Sequence, residues 1–75
     1  MSSLRILSLP LGNHDGKEMS IVTDWEKSRG YVTALQEADS AGNGVKRHRS
    51  AHATVRESVV AAIQLYDDLM AKKIE

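Results

Sequence analysis

The segment Thr54–Lys73, TVRESVVAAIQLYDDLMAKK, constrains the fold more than any other part of the chain. Thr54 is followed three residues later by Glu57, the spacing of a helix capping box. Apolar residues then recur at Val55, Val59, Ala62, Tyr66 and Leu69, in alternating steps of four and three. Val60, Ile63 and Met70 widen this stripe, and Lys72 and Lys73 place cations where a helix C-terminus favours them. The spacing predicts a helix over 54–73 with one broad apolar face, and such a face must be buried against something.

Little else is available to bury it. The chain has 75 residues and no cysteine, so disulfides and thiolate zinc sites are excluded. A chain this short usually needs a metal or a second subunit to supplement its core. Oligomerisation is the expectation here, as a homodimer. The cysteine-free composition fits a reducing, cytoplasmic setting. The N-terminal MSSLRILSLPLG is too short in its unbroken apolar part for an export signal, and no run approaches the roughly 20 residues of a membrane span.

A second helix is predicted over 24–41. Thr23 and Glu26 repeat the capping-box spacing, and Trp25, Val32, Leu35 and Ala38 share a helical face. Gly30 costs such a helix roughly 1 kcal/mol, so either a backbone packs closely there or the helix starts after it. Gly42, or Asn43-Gly44, supplies a stop. The expected fold is therefore mainly α. An N-terminal extended arm or small β-hairpin over 1–22 precedes an antiparallel helical hairpin over 23–75, with a basic loop at 43–53. Residues 4–9 and 19–23 are the candidate strands of the arm. Asp15-Gly16 suits the positive φ angles of a type I′ turn between them.

Within that arm, Gly12-Asn13-His14-Asp15 resembles one signature block of the calcineurin-like metallophosphoesterases, in which the Asn binds a metal and the His assists phosphoryl transfer. The resemblance covers four residues. The companion Gly-Asp and Gly-His blocks are missing, and Gly, Asn and Asp are also turn formers, so the stretch is read as a turn. His48 and His52 have helical metal-ligand spacing, but Lys46, Arg47, Arg49 and Arg56 surround them and no carboxylate joins them. Neither a metal nor a cofactor is expected, and no catalytic residue is assigned.

The expected contact surface is basic: Lys46, Arg47, His48, Arg49, His52 and Arg56. Residues 45–56 hold four formal positive charges and no negative one, within a chain of ten basic and ten acidic residues. Such a cluster suits an acidic protein surface or phosphates. One Trp and two Tyr are too few for a base-stacking platform.

TVRESVVAAIQLYDDL is also similar to the second helix of the ribbon-helix-helix repressors and antitoxins. That resemblance implies YVTALQEADSAG as the first helix and MSIVT as a DNA-reading ribbon, with Ser20, Val22 or Asp24 directed at the major groove. The interhelical connection is several residues longer than in that family, and the ribbon carries no Arg or Lys. The functional expectation is a small regulatory protein that binds a protein partner, with DNA binding as the alternative and neither catalysis nor membrane association.

Overall fold

The computed structural model describes residues 3–71. Four strands, β1 (Ser3–His14), β2 (Lys17–Glu26), β3 (Gly30–Ala38) and β4 (Gly44–His52), precede one helix, α1 (Val55–Met70). The strands pair in chain order, each antiparallel to the next, and form a single β-meander. The helix packs on one face, over β2, β3 and β4.

This overturns the mainly α helical hairpin. Residues 24–41, expected as a helix, are the end of β2, a turn, β3 and the start of the next turn. As strands, their apolar residues divide between the two faces of the sheet. Ile21 and Thr23 pair with Leu35 and Thr33 on the helix face, while Val22 and Asp24 pair with Ala34 and Val32 on the other. With β-branched runs at Ile21-Val22-Thr23 and Val32-Thr33, strand packing prevails over the helical spacing. Gly30 begins β3 with φ +85°, and a Cβ there would lie 2.9 Å from the His52 carbonyl oxygen. Of the two readings of Gly30, close backbone approach is the one observed, though in a sheet. The ribbon-helix-helix resemblance loses its first helix in the same way.

The basic loop at 43–53 is almost wholly β4. The expected helix stop at Gly42 is instead the β3–β4 turn, where Gly42 has φ +88° and the Asp39 carboxylate accepts from the N–H groups of Ala41 and Asn43. The N-terminal arm is the β1–β2 hairpin. Its two-residue turn is Asp15-Gly16, with φ 54° and 78°, as a type I′ turn requires.

The C-terminal helix forms with Thr54 as its cap. The Thr54 hydroxyl accepts from the Glu57 N–H at 3.2 Å and donates to the Glu57 carboxylate, which does not reach back to the cap backbone. Lys72 and Lys73 lie outside the described residues. The buried stripe is Ser58, Ala62 and Leu65, with Leu69 packed beside it. Val55, Val60, Ile63, Tyr66 and Met70, expected in that stripe, are exposed.

Ile21, Leu35, Ala62 and Leu65 form the core between helix and sheet. Ile21 and Leu35, both fully buried, contribute about 1.5–3 kcal/mol each. A polar latch lies beside them. Thr33 donates its hydroxyl hydrogen to the Ser58 carbonyl at 2.9 Å, so Thr23, 2.8 Å away, must donate to the Thr33 oxygen. All three residues are buried, and the chain of bonds fixes how α1 sits across β2 and β3.

Candidate functional site

The feature that stands out is an open apolar trough between β1 and α1. It begins with the side-chain alternation of β1. The pairings Leu4↔Trp25, Leu7↔Thr23 and Leu9↔Ile21 put these three leucines on the helix face, and Leu11 packs against the same core. The register shift between Arg5 and Leu7 makes this possible, because regular alternation would send Leu4 and Leu7 to opposite faces, whereas Leu7, Leu9 and Leu11 share a face by ordinary alternation. That bulge thus brings Leu4 into one row with the other three leucines. The helix does not cover that row: Leu4 is 64% exposed, and Leu7, Leu9 and Leu11 are half-buried.

The facing wall is a second apolar stripe on α1. Val55, Val59, Ile63, Tyr66 and Met70 fall within about 80° of one another around the helix, next to the buried face. Ile63 and Met70 are each about half exposed. Leu9, Pro10, Ile63 and Tyr66 enclose a groove of about 220 Å³. Further along, Leu11, Met19, Leu35, Leu69 and Met70 line the apolar part of a cavity of about 700 Å³. Its polar rim includes His14, Asp15 and Lys17 from the β1–β2 hairpin, and Glu37 and Arg47 from β3 and β4. Two methionines give this wider end a lining that can adapt its shape.

The expected basic surface is dispersed by the alternation of β4. Lys46 falls on the helix-free face, where its Nζ donates to Asp24 Oδ2 at 3.0 Å. Arg47 falls on the helix face and pairs with Glu37 at the cavity rim. His48, with φ 55°, lies at the register shift of β4, and His48 and Arg49 are exposed there. His52 exchanges a hydrogen bond with Ser50 at 2.9 Å, and Arg56 is exposed in the first turn of α1. A four-residue step along a strand spans roughly 13 Å, so His48 and His52 do not face one another as they would on a helix. Among the described residues, no group of three or more His, Asp or Glu is placed to hold a metal.

The turn reading of Gly12–Asp15 also finds its geometry: the Asn13 side chain accepts from the Gly16 N–H at 3.1 Å. On the helix-free face, Asp24 is buried between Arg5 and Lys46. Burial pushes its carboxyl pKa up, but hydrogen bonds from Arg5 and Lys46, with their charges, outweigh it and hold the pKa below the ordinary 3.8. Lys46 starts opposite Gln36 and ends at Asp24, opposite Val32, so its stem crosses β3 above Ala34. This ion pair braces the sheet.

Chemically, the trough offers apolar surface with a polar rim at one end, which suits recognition. The leucine row was missed because LRILSLPLG reads as a short strand of unknown orientation until pairing and bulges assign its faces. The period-two spacing of Leu7, Leu9 and Leu11 was the available signal. No helix of the described residues is long and apolar enough to cross a membrane. No protein-family model matches the chain, and comparison with curated proteins and with solved structures returns no match either.

Proposed function

We propose that this chain is a non-enzymatic, cytoplasmic binding module that takes an apolar segment of a protein partner into the β1–α1 trough and thereby modulates that partner. One observation carries the reading: the leucine row of β1 and the outer stripe of α1 face the same open trough, and α1 sits chiefly over β2, β3 and β4, leaving the β1 leucines exposed or only half-buried. Contiguous exposed apolar surface rimmed by polar residues marks interaction sites. The pairing of Lys46 with Asp24 and of Arg47 with Glu37 favours a protein partner over a nucleic acid, because each engaged cation is one fewer for phosphates.

The test is capture on the immobilised chain, compared across two variants. Ile63→Glu places a charge in the trough at an exposed position. Arg49→Glu with Arg56→Glu reverses the exposed cations and leaves the trough unchanged. A defined protein retained by the wild type and the cation variant, but lost with Ile63→Glu, supports the proposal. Retention that follows the cations instead, or retention of nucleic acid, overturns it.

A further inference from the structure

We infer that Asn43-Gly44, in the turn between β3 and β4, is a self-modification site at which Asn43 is converted to aspartate and isoaspartate. The inference does not depend on the trough. Asparagine is a thermolabile residue, and before glycine its side chain and the next backbone nitrogen readily close a five-membered ring. The Gly44 nitrogen loses its proton to hydroxide and attacks the Asn43 Cγ. The Cγ–Nδ2 bond then breaks, and the side-chain nitrogen takes a proton from water and leaves as ammonia. Water opens the resulting cyclic imide at either carbonyl. Opening at Cγ leaves aspartate, and opening at the main-chain carbon leaves isoaspartate, whose chain runs through Cγ. The net change is one water consumed and one ammonia released, with no oxidant, metal or cofactor.

The turn exposes the nucleophile and stabilises its charge. Asp39 N–H donates to the Asn43 carbonyl at 2.9 Å. That ladder bond makes the next pair, Ala38↔Gly44, one of the non-hydrogen-bonded type, whose N–H groups point away from the partner strand. Because β4 is an edge strand, the Gly44 N–H projects from the side of the sheet, and Asn43 and Gly44 are both exposed. The attacking nitrogen is thus open to base. As it loses its proton, negative charge spreads onto the Asn43 carbonyl oxygen, which already holds the Asp39 donor. Glycine also brings no Cβ to obstruct the approach.

The β1–β2 turn supplies an internal contrast. Asp15-Gly16 can close the same ring with loss of water, but its nucleophile is engaged: Gly16 N–H donates to the Asn13 side chain at 3.1 Å. Asn13 is the chain's other asparagine, and the nitrogen beyond it belongs to His14, whose side chain crowds the attack. Selectivity for Asn43 therefore follows from the fold as well as from the dipeptide.

The product alters the turn that makes it. Asn43 N–H is held by the Asp39 carboxylate at 2.9 Å. A carboxylate at 43 sets like charge against Asp39, and isoaspartate adds a methylene between the two backbone groups that close the turn. β4 then loosens from its Gly44 end, near which Lys46 and Arg47 pair with Asp24 and Glu37.

The test incubates the full chain at mildly alkaline pH, in native buffer and in urea. Tryptic peptides are followed by tandem mass spectrometry, with isoaspartate scored by isoaspartyl methyltransferase labelling. In native buffer we expect Asn43 to convert to both products, with Asn13 and Asp15 slower by about tenfold or more. In urea the Gly16 nitrogen is released, and Asp15 should gain isoaspartate relative to Asn43. Gly44→Ala should slow Asn43 by about tenfold or more, and its Cβ makes only an ordinary 3.6 Å contact with the Glu37 carbonyl oxygen, so the fold is kept. The converted chain, separated by ion exchange, should melt below the unconverted chain. Asn43 intact in native buffer but converted in urea overturns the inference, as do equal rates at Asn13 and Asn43 or a Gly44→Ala rate equal to that of the wild type. A converted chain that melts no lower overturns the loosening of β4.

Discussion

Replacing Thr33 by valine probes the polar latch that seats the helix. Valine keeps the shape of threonine and its strand preference, so the perturbation is confined to one hydroxyl. That hydroxyl donates to the Ser58 carbonyl and accepts from Thr23. The Ser58 carbonyl retains the bond that helix geometry gives it from four residues on. Thr23 fares worse: it is 0% exposed, and among the described residues Thr33 is its only side-chain partner. Stranding a buried donor costs about 1–3 kcal/mol, partly offset by the extra buried methyl group. We expect Thr33→Val to cost about 2 kcal/mol, or about 10 °C in Tm at this chain length. Thr23→Val leaves the Thr33 donor engaged and should cost about 0.5–1 kcal/mol. The double variant strands nothing, so it should be no less stable than Thr33→Val alone, with a coupling energy of about 1 kcal/mol or more. Urea unfolding followed by circular dichroism, at one protein concentration, measures all four corners of the cycle. Additive losses, or a Thr33→Val cost below about 0.5 kcal/mol, would refute the donor order deduced for the latch.

Three further substitutions test the sheet. Gly30→Ala combines a positive φ with a Cβ 2.9 Å from the His52 oxygen and should cost about 2–4 kcal/mol, whereas Gly42→Ala, with open space around it, should cost only about 1 kcal/mol; thermal melts compare them. Asp24→Asn should lower stability near neutral pH by about 1 kcal/mol, a modest figure because Arg5 and Lys46 are partly solvated. The Asp24 pKa is depressed in the folded state, so its contribution is present above the ordinary value of 3.8 and is lost as pH falls through the lower folded value. Urea midpoints from pH 2 to 7 should therefore converge for wild type and Asp24→Asn at the acid end. His48→Gly relieves a left-handed conformation at φ 55° and should raise stability by about 0.5–1 kcal/mol, read as an increased urea midpoint.

Local signals in the sequence were most legible where they did not depend on pairing. The Thr54 cap, the C-terminal helix and the Asp15-Gly16 turn are set by residues within a few positions of one another. Residues 24–41 illustrate the limit. Trp25, Val32, Leu35 and Ala38 satisfy a helical period, while the same segment folded as strands buries Val32, Thr33, Ala34 and Leu35 on both faces of a central strand. Continuous burial erases the alternation that would announce a strand. β4 was hidden for the opposite reason: as an edge strand rich in Lys, Arg and His it shows no apolar pattern, and such residues suit an edge. The same strand explains why KRHR looked like one patch. Neighbours in sequence point to opposite faces, and Asp24 and Glu37, which meet Lys46 and Arg47, are distant in the chain. Which face the β1 leucines take, and the bulge that brings Leu4 into their row, are revealed only by pairing with β2.

The most direct measurement is methyl-resolved NMR of the isotopically labelled chain, titrated with an anilinonaphthalene sulfonate dye. Saturable shifts confined to the methyl groups of Leu9, Leu11, Met19, Ile63, Leu69 and Met70, with Val45 and Val60 unmoved, are the expected result. Absence of saturable shifts, or shifts centred on Val45 and Val60, would contradict the assignment of the β1–α1 trough as the binding site.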